Sequence, residues 1–312
     1  MEDVAGFYVY LQNRNEPGEL FRHYMKRTIL ILVAATAMGW NACAWNDLGH
    51  ATIAEVAQRH LTPKAAKAVA GYLDGMKLAS VASDANKCRA YWTVDLGFIP
   101  TNPDDARVAF LTDFDRTQPL NISPWSHSIT VDENMNPYPT DNLDGAYINN
   151  DCYYVKILSE KLRREAATMD PVERKRAISL IVHFIGDMHC PVHIVYLPSN
   201  TAKGHFDVTY KGRRTNYHSF WDSSVYGGLP GGFLELAYLV DSKSKKEIRE
   251  ITAGDVYDWA KDSATRSLEA YELVKPGDVI PDTFPYDVRP LLYSQLRNAG
   301  YRLAAVLNDI FR

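Results

Sequence analysis

A chain of 312 residues has room for one large domain or two small ones. Its 46% apolar and 23% charged residues describe an ordinary globular protein, and a net charge of -4 excludes the broad basic surface that grips a duplex. Phosphate recognition would have to come from local groups or from metals.

The N-terminal stretch reads as a leader. Met25-Lys26-Arg27 is a charged start, Thr28 to Ala35 is an apolar run, and Ala42-Cys43-Ala44 supplies small residues ahead of a cut before Trp45. The apolar run is too short to span a bilayer comfortably. Residues 1–24 then read as an upstream extension or a mis-called start, 25–44 as a signal peptide, and 45–312 as the mature domain. A lipid anchor on Cys43 is the alternative, disfavoured by Trp40 at a place where such signals carry Leu. Either way the expected location is secreted or periplasmic. Cleavage leaves Cys88, Cys152 and Cys190, an odd number, so at least one thiol is free.

In chain order, Asn46 to Leu61 carries apolar Ile53, Val56, Ala57 and Leu61 at helical spacing. Thr62-Pro63 is a cap followed by Pro at the first helical position, and predicts a second helix to about Tyr72. Leu78 to Tyr91 is predicted helical around Asp84. Thr93 to Pro139 is rich in Pro, Asn and Asp and reads as long loops. Asn142 to Arg164 and Pro171 to His189 are predicted helices. Phe206 to Arg213 alternates and contains a Gly turn, which predicts a β-hairpin within Lys203 to Arg214. Tyr217 to Val225 is a short helix or turn, and Thr252 to Val274 and Val288 to Phe311 are long amphipathic helices. The expectation is an all-α fold: one mainly helical domain with a small hairpin and long loops.

Chemistry-bearing residues gather at a few places. His183 and Asp187 are four apart, so a helix projects them from one face. Pro191 should end that helix and leave His193 just past the break. His218 and Asp222 repeat the four-residue spacing, while His50, Asp84 and His127 stand elsewhere as isolated candidates. Imidazole and carboxylate donors together suit zinc. His60, His189 and His205 are left outside the set; His60 ends a helix, where cations are favoured, and His189 lies off the face of His183.

Three stretches carry a resemblance: His183-Phe184-Ile185-Gly186-Asp187-Met188-His189-Cys190-Pro191-Val192-His193, Asn216-Tyr217-His218-Ser219-Phe220-Trp221-Asp222, and Trp45 with His50 five residues on. In these the chain resembles the zinc-dependent, single-strand-specific secreted nucleases of the S-one/P-one type, whose fold is related to that of zinc phospholipases C. The resemblance spans about Trp45 to Tyr271 and implies that 45–312 is a zinc-dependent catalytic domain binding three Zn2+ ions. Asp84, His127, His183 and Asp187 would hold one; the free amine and carbonyl of Trp45, with His50 and the bridging Asp187, a second; His193, His218 and Asp222 the third. A water between the close pair would be acidified and attack phosphorus in line, giving 5′-phosphorylated products. The implied partner is a single-stranded nucleic acid or nucleotide, with no stable membrane span and a monomeric protein.

The likeness departs in places. Where the family has Arg three residues after the first Asp ligand, this chain has Lys87, which takes the cationic catalytic role without the bidentate fork of Arg. Ser83 precedes Asp84, Ser128 and Thr130 replace an aromatic residue and an Asp or Asn that hold a base, and Lys203-Gly204-His205 replaces a Gly-Gly-Asn loop. Two other readings therefore accompany the nuclease: a zinc phosphoesterase for another substrate, such as a phospholipid head group, and a non-catalytic zinc-binding relative.

Overall fold

The computed structural model describes residues 45–87, 127–143, 146–148, 150–197, 201–202, 206–229 and 231–312, all within the compact unit Cys43–Arg312. The leader, Cys88, Arg89 and the Lys203 to His205 stretch lie outside the described residues. The architecture is mostly helical with small sheets, as expected.

The first helix, α1 (Asp47–Arg59), starts where the Asn46 side chain accepts from the Gly49 N–H, and α2 (Pro63–Tyr72) starts where Thr62 accepts from the Ala65 N–H. The stretch around Asp84 is not one helix but two short ones, α3 (Leu78–Val81) and α4 (Asp84–Lys87). The expected loop before Pro139 contains a strand, β1 (Ile129–Val131), whose β-branched Ile-Thr-Val run outweighs its polar surroundings. The next helix begins later than expected. Asn142–Leu143 and Ala146–Tyr147 form an antiparallel pair, β2 and β3, and α5 (Asp151–Glu165) starts only after the Asn150 side chain accepts from the Tyr153 N–H.

Helix α6 (Pro171–Met188) runs through the centre, and every residue from Ala177 to Met188 is buried. Asp170 caps it by accepting from the Val172 and Glu173 N–H groups, and Pro171 sits at its first turn. It ends before Pro191, as its sequence requires, and the chain turns into β4 (Ile194–Tyr196). Strand β4 pairs in parallel with β1 and antiparallel with β5 (Thr201–Ala202).

The expected hairpin is present as β6 (Asp207–Tyr210) and β7 (Arg213–Asn216). Lys211 and Gly212 form its two-residue turn, with φ of 50 and 71. Strand β8 (Val279–Ile280) adds to β6 in parallel. Between them lie α7 (Tyr217–Asp222), α8 (Phe233–Val240), α9 (Lys245–Ile251) and α10 (Val256–Leu273). Thr252, expected inside the long amphipathic helix, caps the end of α9 instead; Asp255 starts α10 by accepting from the Tyr257 and Asp258 N–H groups. After the short α11 (Phe284–Asp287), α12 (Arg289–Ile310) packs along α1. Gly300 makes this approach possible, since a Cβ there would stand 2.5 Å from Val56 Cβ.

Helix α12 also grips the end of α6. The Gln295 amide donates to the His189 carbonyl, and Arg302 Nη1 lies 2.9 Å from His189 Nε2. His189 Nδ1 lies 2.7 Å from the Ile185 carbonyl. Nδ1 therefore carries the proton and Nε2 accepts from Arg302. Burial, reinforced by Arg302, lowers the His189 pKa to about 3, so the ring stays neutral.

Candidate metal centre

The expected i, i+4 pair on α6 is formed. His183 Nε2 lies 3.1 Å from one oxygen of Asp187, and His50 Nε2, from α1, lies 3.2 Å from the other. The His50 and His183 rings stack with centroids 4.8 Å apart. Gly186 makes room for this, because a Cβ there would meet His50 Nδ1 at 2.6 Å. All three side chains are buried. Burial lowers the His183 pKa to about 3 against the pull of Asp187. Burial acts to raise Asp187, but His183 and His50 outweigh it and hold the carboxyl at about 2. Neutral imidazole and ionised carboxylate are the forms that bind metal.

A second group repeats the pattern. Asp222 presents one oxygen to His193 Nε2 at 3.3 Å and the other to His218 Nε2 at 3.3 Å. On α7, Asn216 caps the helix through the His218 N–H, and buried Tyr217, Phe220 and Trp221 anchor the opposite face. The Tyr217 hydroxyl reaches across to donate to the Ala270 carbonyl on α10. His193 comes from the turn after Pro191, and its Nδ1 donates to the His127 carbonyl at 2.7 Å. Burial raises Asp222 to about 6, partly offset by His193. Burial disfavours protonated His193, yet the Asp222 contact prevails and raises its pKa.

Trp45 ties the two groups together. Its indole Nε1 donates to the Gly186 carbonyl at 2.7 Å, and the next N–H, of Asn46, donates to the Asp222 carbonyl at 2.9 Å. The ring is fully buried, edge-on to Tyr226. His127 stands with its ring 5.4 Å from that of His193, and its charge depresses His183. Asp84 opens α4, which lies against α6, but its carboxylate belongs to neither buried group. Lys87 closes α4, and its side chain lies outside the described residues. Ser128 and Thr130 are buried beside and within β1.

Two sets of side chains can hold a metal ion. Donor atoms of His50, His183 and Asp187 lie within 4.8 Å of one another, and so do those of Cys190, His193 and Asp222. The family model described as S1/P1 Nuclease matches residues 45–312. The chain belongs to the S1/P1 nuclease family. Among its relatives, Endonuclease 2 of Arabidopsis thaliana is 28% identical over 305 residues, covering 91% of this chain and 95% of the relative. Nuclease P1 of Penicillium citrinum is 29% identical over 299 residues, covering 85% and 97%. Nuclease S1 of Aspergillus oryzae is 24% identical over 312 residues, covering 92% and 98%. As an S1/P1 nuclease the protein is a hydrolase of phosphoester bonds.

Sequence reasoning missed Cys190. It lies in the turn that ends α6, and it is a free, buried thiol whose pKa is pushed well above the usual range by burial, Asp222 and Asp187. Cys152 is also buried and free, and its thiol donates to the Asn150 side-chain oxygen. The Cys190-x-x-His193 spacing was a signal available in the sequence. Among the described residues, no helix of this S1/P1 nuclease is long and apolar enough to cross a membrane.

Proposed function

We propose that residues 45–312 are a secreted, monomeric zinc enzyme that cuts single-stranded DNA or RNA to 5′-phosphorylated products and also acts on 3′-nucleotides. The observation that carries this reading is Asp187, which offers each oxygen to a different buried imidazole, at 3.1 and 3.2 Å. These contacts lack hydrogen-bond geometry, so both oxygens of Asp187, both nitrogens of His50 and one oxygen of Asp222 are buried without a hydrogen-bond partner among the described residues. A divalent cation would satisfy all of these, and a nitrogen-and-carboxylate donor set suits zinc.

Three Zn2+ ions are assigned to three sets of ligands: Asp84, His127, His183 and Asp187; the amine and carbonyl of Trp45 with His50 and Asp187; and His193, His218 and Asp222. Zinc, when bound, supplies Lewis acidity and lowers the pKa of a nearby water. At the first group, the chain's own part is to hold His183 and Asp187 in their metal-binding protonation states. Asp187 is kept ionised by His183 and His50, and His183 is kept neutral by burial. Lys87, three residues after Asp84, is assigned the cationic role toward the phosphoryl oxygens. The amine of Trp45 is free only after removal of residues 25–44, so cleavage completes the site.

The test uses mature protein starting at Trp45, assayed on single-stranded DNA, RNA, 3′-AMP and phosphatidylcholine, with and without chelator. Chelator-sensitive turnover of the nucleic acids is expected. Turnover of the lipid alone would shift the substrate class, and chelator-insensitive or absent turnover throughout would remove the zinc-enzyme reading. Asp187→Ala should lose two zinc equivalents together by metal analysis; retention of all three would refute its bridging role.

A further inference from the structure

One buried acid beside the centre has no task in the assignment above. Asp151 opens α5, is fully buried, and neither of its carboxylate oxygens has a hydrogen-bond partner among the described residues. It shares the apolar stripe of Tyr154, Val155 and Leu158, so the helix carries a charge-bearing residue on its core face.

The placement follows from the packing of α5 against α6. The two helices are joined by residues 166–170 and run antiparallel, with the Tyr154 ring stacked on that of Phe184, centroids 5.6 Å apart. One turn earlier on α5 is Asp151, and one turn later on α6 is Asp187. The two carboxylates therefore lie along one buried seam, with Asp151 outside the donor group of His50, His183 and Asp187. The Asp151 backbone N–H donates to the carbonyl of Ser128, next to His127, which fixes this end of the helix against the site.

Its place in the first turn of the helix favours a negative charge, but that accounts for such an acid only in part. It is not the helix cap, because Asn150 already accepts from the Tyr153 N–H. It has no basic partner among the described ion pairs. The Ser128 N–H faces the carboxylate without closing a hydrogen bond, and burial with the neighbouring Asp187 charge prevails and pushes the carboxyl well above the usual range. Two buried acids along one seam, with orphaned oxygens on both, form a pair that a cation would relieve.

We propose that Asp151 is a further acidic group of the metal centre, acting through one ordered water on the divalent cation held by His183 and Asp187. This rests on the zinc reading of the centre. It adds one negative charge to the pocket and makes cation retention there depend on α5 as well as α6.

The experiment is a zinc titration of Asp151→Asn against the wild type, using a competing chromophoric chelator, with unfolding curves of the metal-free and metal-loaded forms. About 10- to 100-fold weaker binding of one zinc equivalent is expected, the other equivalents holding. The metal-free variant should be at least as stable as the metal-free wild type, because the neighbouring charge is gone, and zinc should raise its melting temperature less. Unchanged zinc affinity would overturn the proposal, as would equal destabilisation of both forms, which marks a packing role. Should Asp151→Asn fold poorly, Asp151→Ser, which leaves room for a water, is read the same way. A wild type that binds no zinc would instead overturn the zinc reading on which this rests.

Discussion

Single atoms decide whether the first donor group can form. Gly186 lies one residue before Asp187 and against the ring of His50. A methyl there would stand 2.6 Å from His50 Nδ1 and 3.6 Å from Ile53 Cδ1. The ring belongs to a buried residue of α1 and has little space to retreat. Gly186→Ala should therefore keep the fold, cost roughly 1–3 kcal/mol of stability through overpacking, and displace His50 from Asp187. Zinc content and nuclease turnover measured on the same preparation check this: bound zinc should fall, with at least a tenfold loss of turnover. Full zinc occupancy at normal affinity would show that His50 tolerates the shift. At this scale the sequence was largely legible. Spacing alone brought His183 to Asp187 and His218 to Asp222, and the structure places each pair in contact. Cys190 and Asp151 carry weaker signals, a Cys-x-x-His spacing and an acid on an apolar stripe, because their nearness to these pairs depends on a turn and on a neighbouring helix rather than on periodicity.

Among the described elements, α1 and α12 share the most extensive packing. Gly300→Ala would gain up to about 1 kcal/mol of helix propensity. Against this, the new Cβ would meet Val56 Cβ at 2.5 Å and the Ile53 carbonyl at 3.1 Å, both stiff groups rather than side-chain tips. The clash, costing roughly 1–3 kcal/mol, should win, and the urea midpoint should fall. An unchanged midpoint would show that the helices can part without loss. The grip of Arg302 on His189 predicts a pH effect of definite sign. His189 is held at about 3 in the fold against an ordinary 6.5, so the unfolded chain takes the proton first. Stability is full above 6.5 and is lost as pH falls toward 3. In chelator-treated protein the unfolding free energy should drop between pH 7 and pH 5, and His189→Gln should flatten that slope; His183, also held at about 3, contributes in the same direction. Helix α6 was readable end to end because Asp170-Pro171 starts it and Pro191 stops it. Strand β1 and the late start of α5 were not. A three-residue strand is fixed by pairing with β4, and polar Asn142 to Asn150 favours a turn that no helical period reveals.

Across the whole molecule, the donors come from distant parts of the chain: His50 from α1, His183 and Asp187 from α6, His218 and Asp222 from α7. A cation bound by them ties these helices together, and binding to the folded state alone stabilises it by roughly 4 kcal/mol per site at a thousandfold excess over Kd. Chelation should lower the melting temperature by several degrees, and zinc should restore it. Identical melting with and without chelator would mean the helices hold without the metal. The all-α class was legible from amphipathic periods, but α8 and α9 were not expected, since neither spans enough turns to display a clear stripe.

The seam between α1 and α12 also sets a timetable. His50 is delivered early in synthesis, yet the helix that seats α1 runs from Arg289 to Ile310. Until the ribosome has passed Ile310, α1 lacks its most extensive helical partner, and His50 is less firmly held beside Asp187. A nascent chain released before that point would carry these donors on helices that lack this support. Full support of the donor group is thus among the last things the polypeptide acquires as it is made.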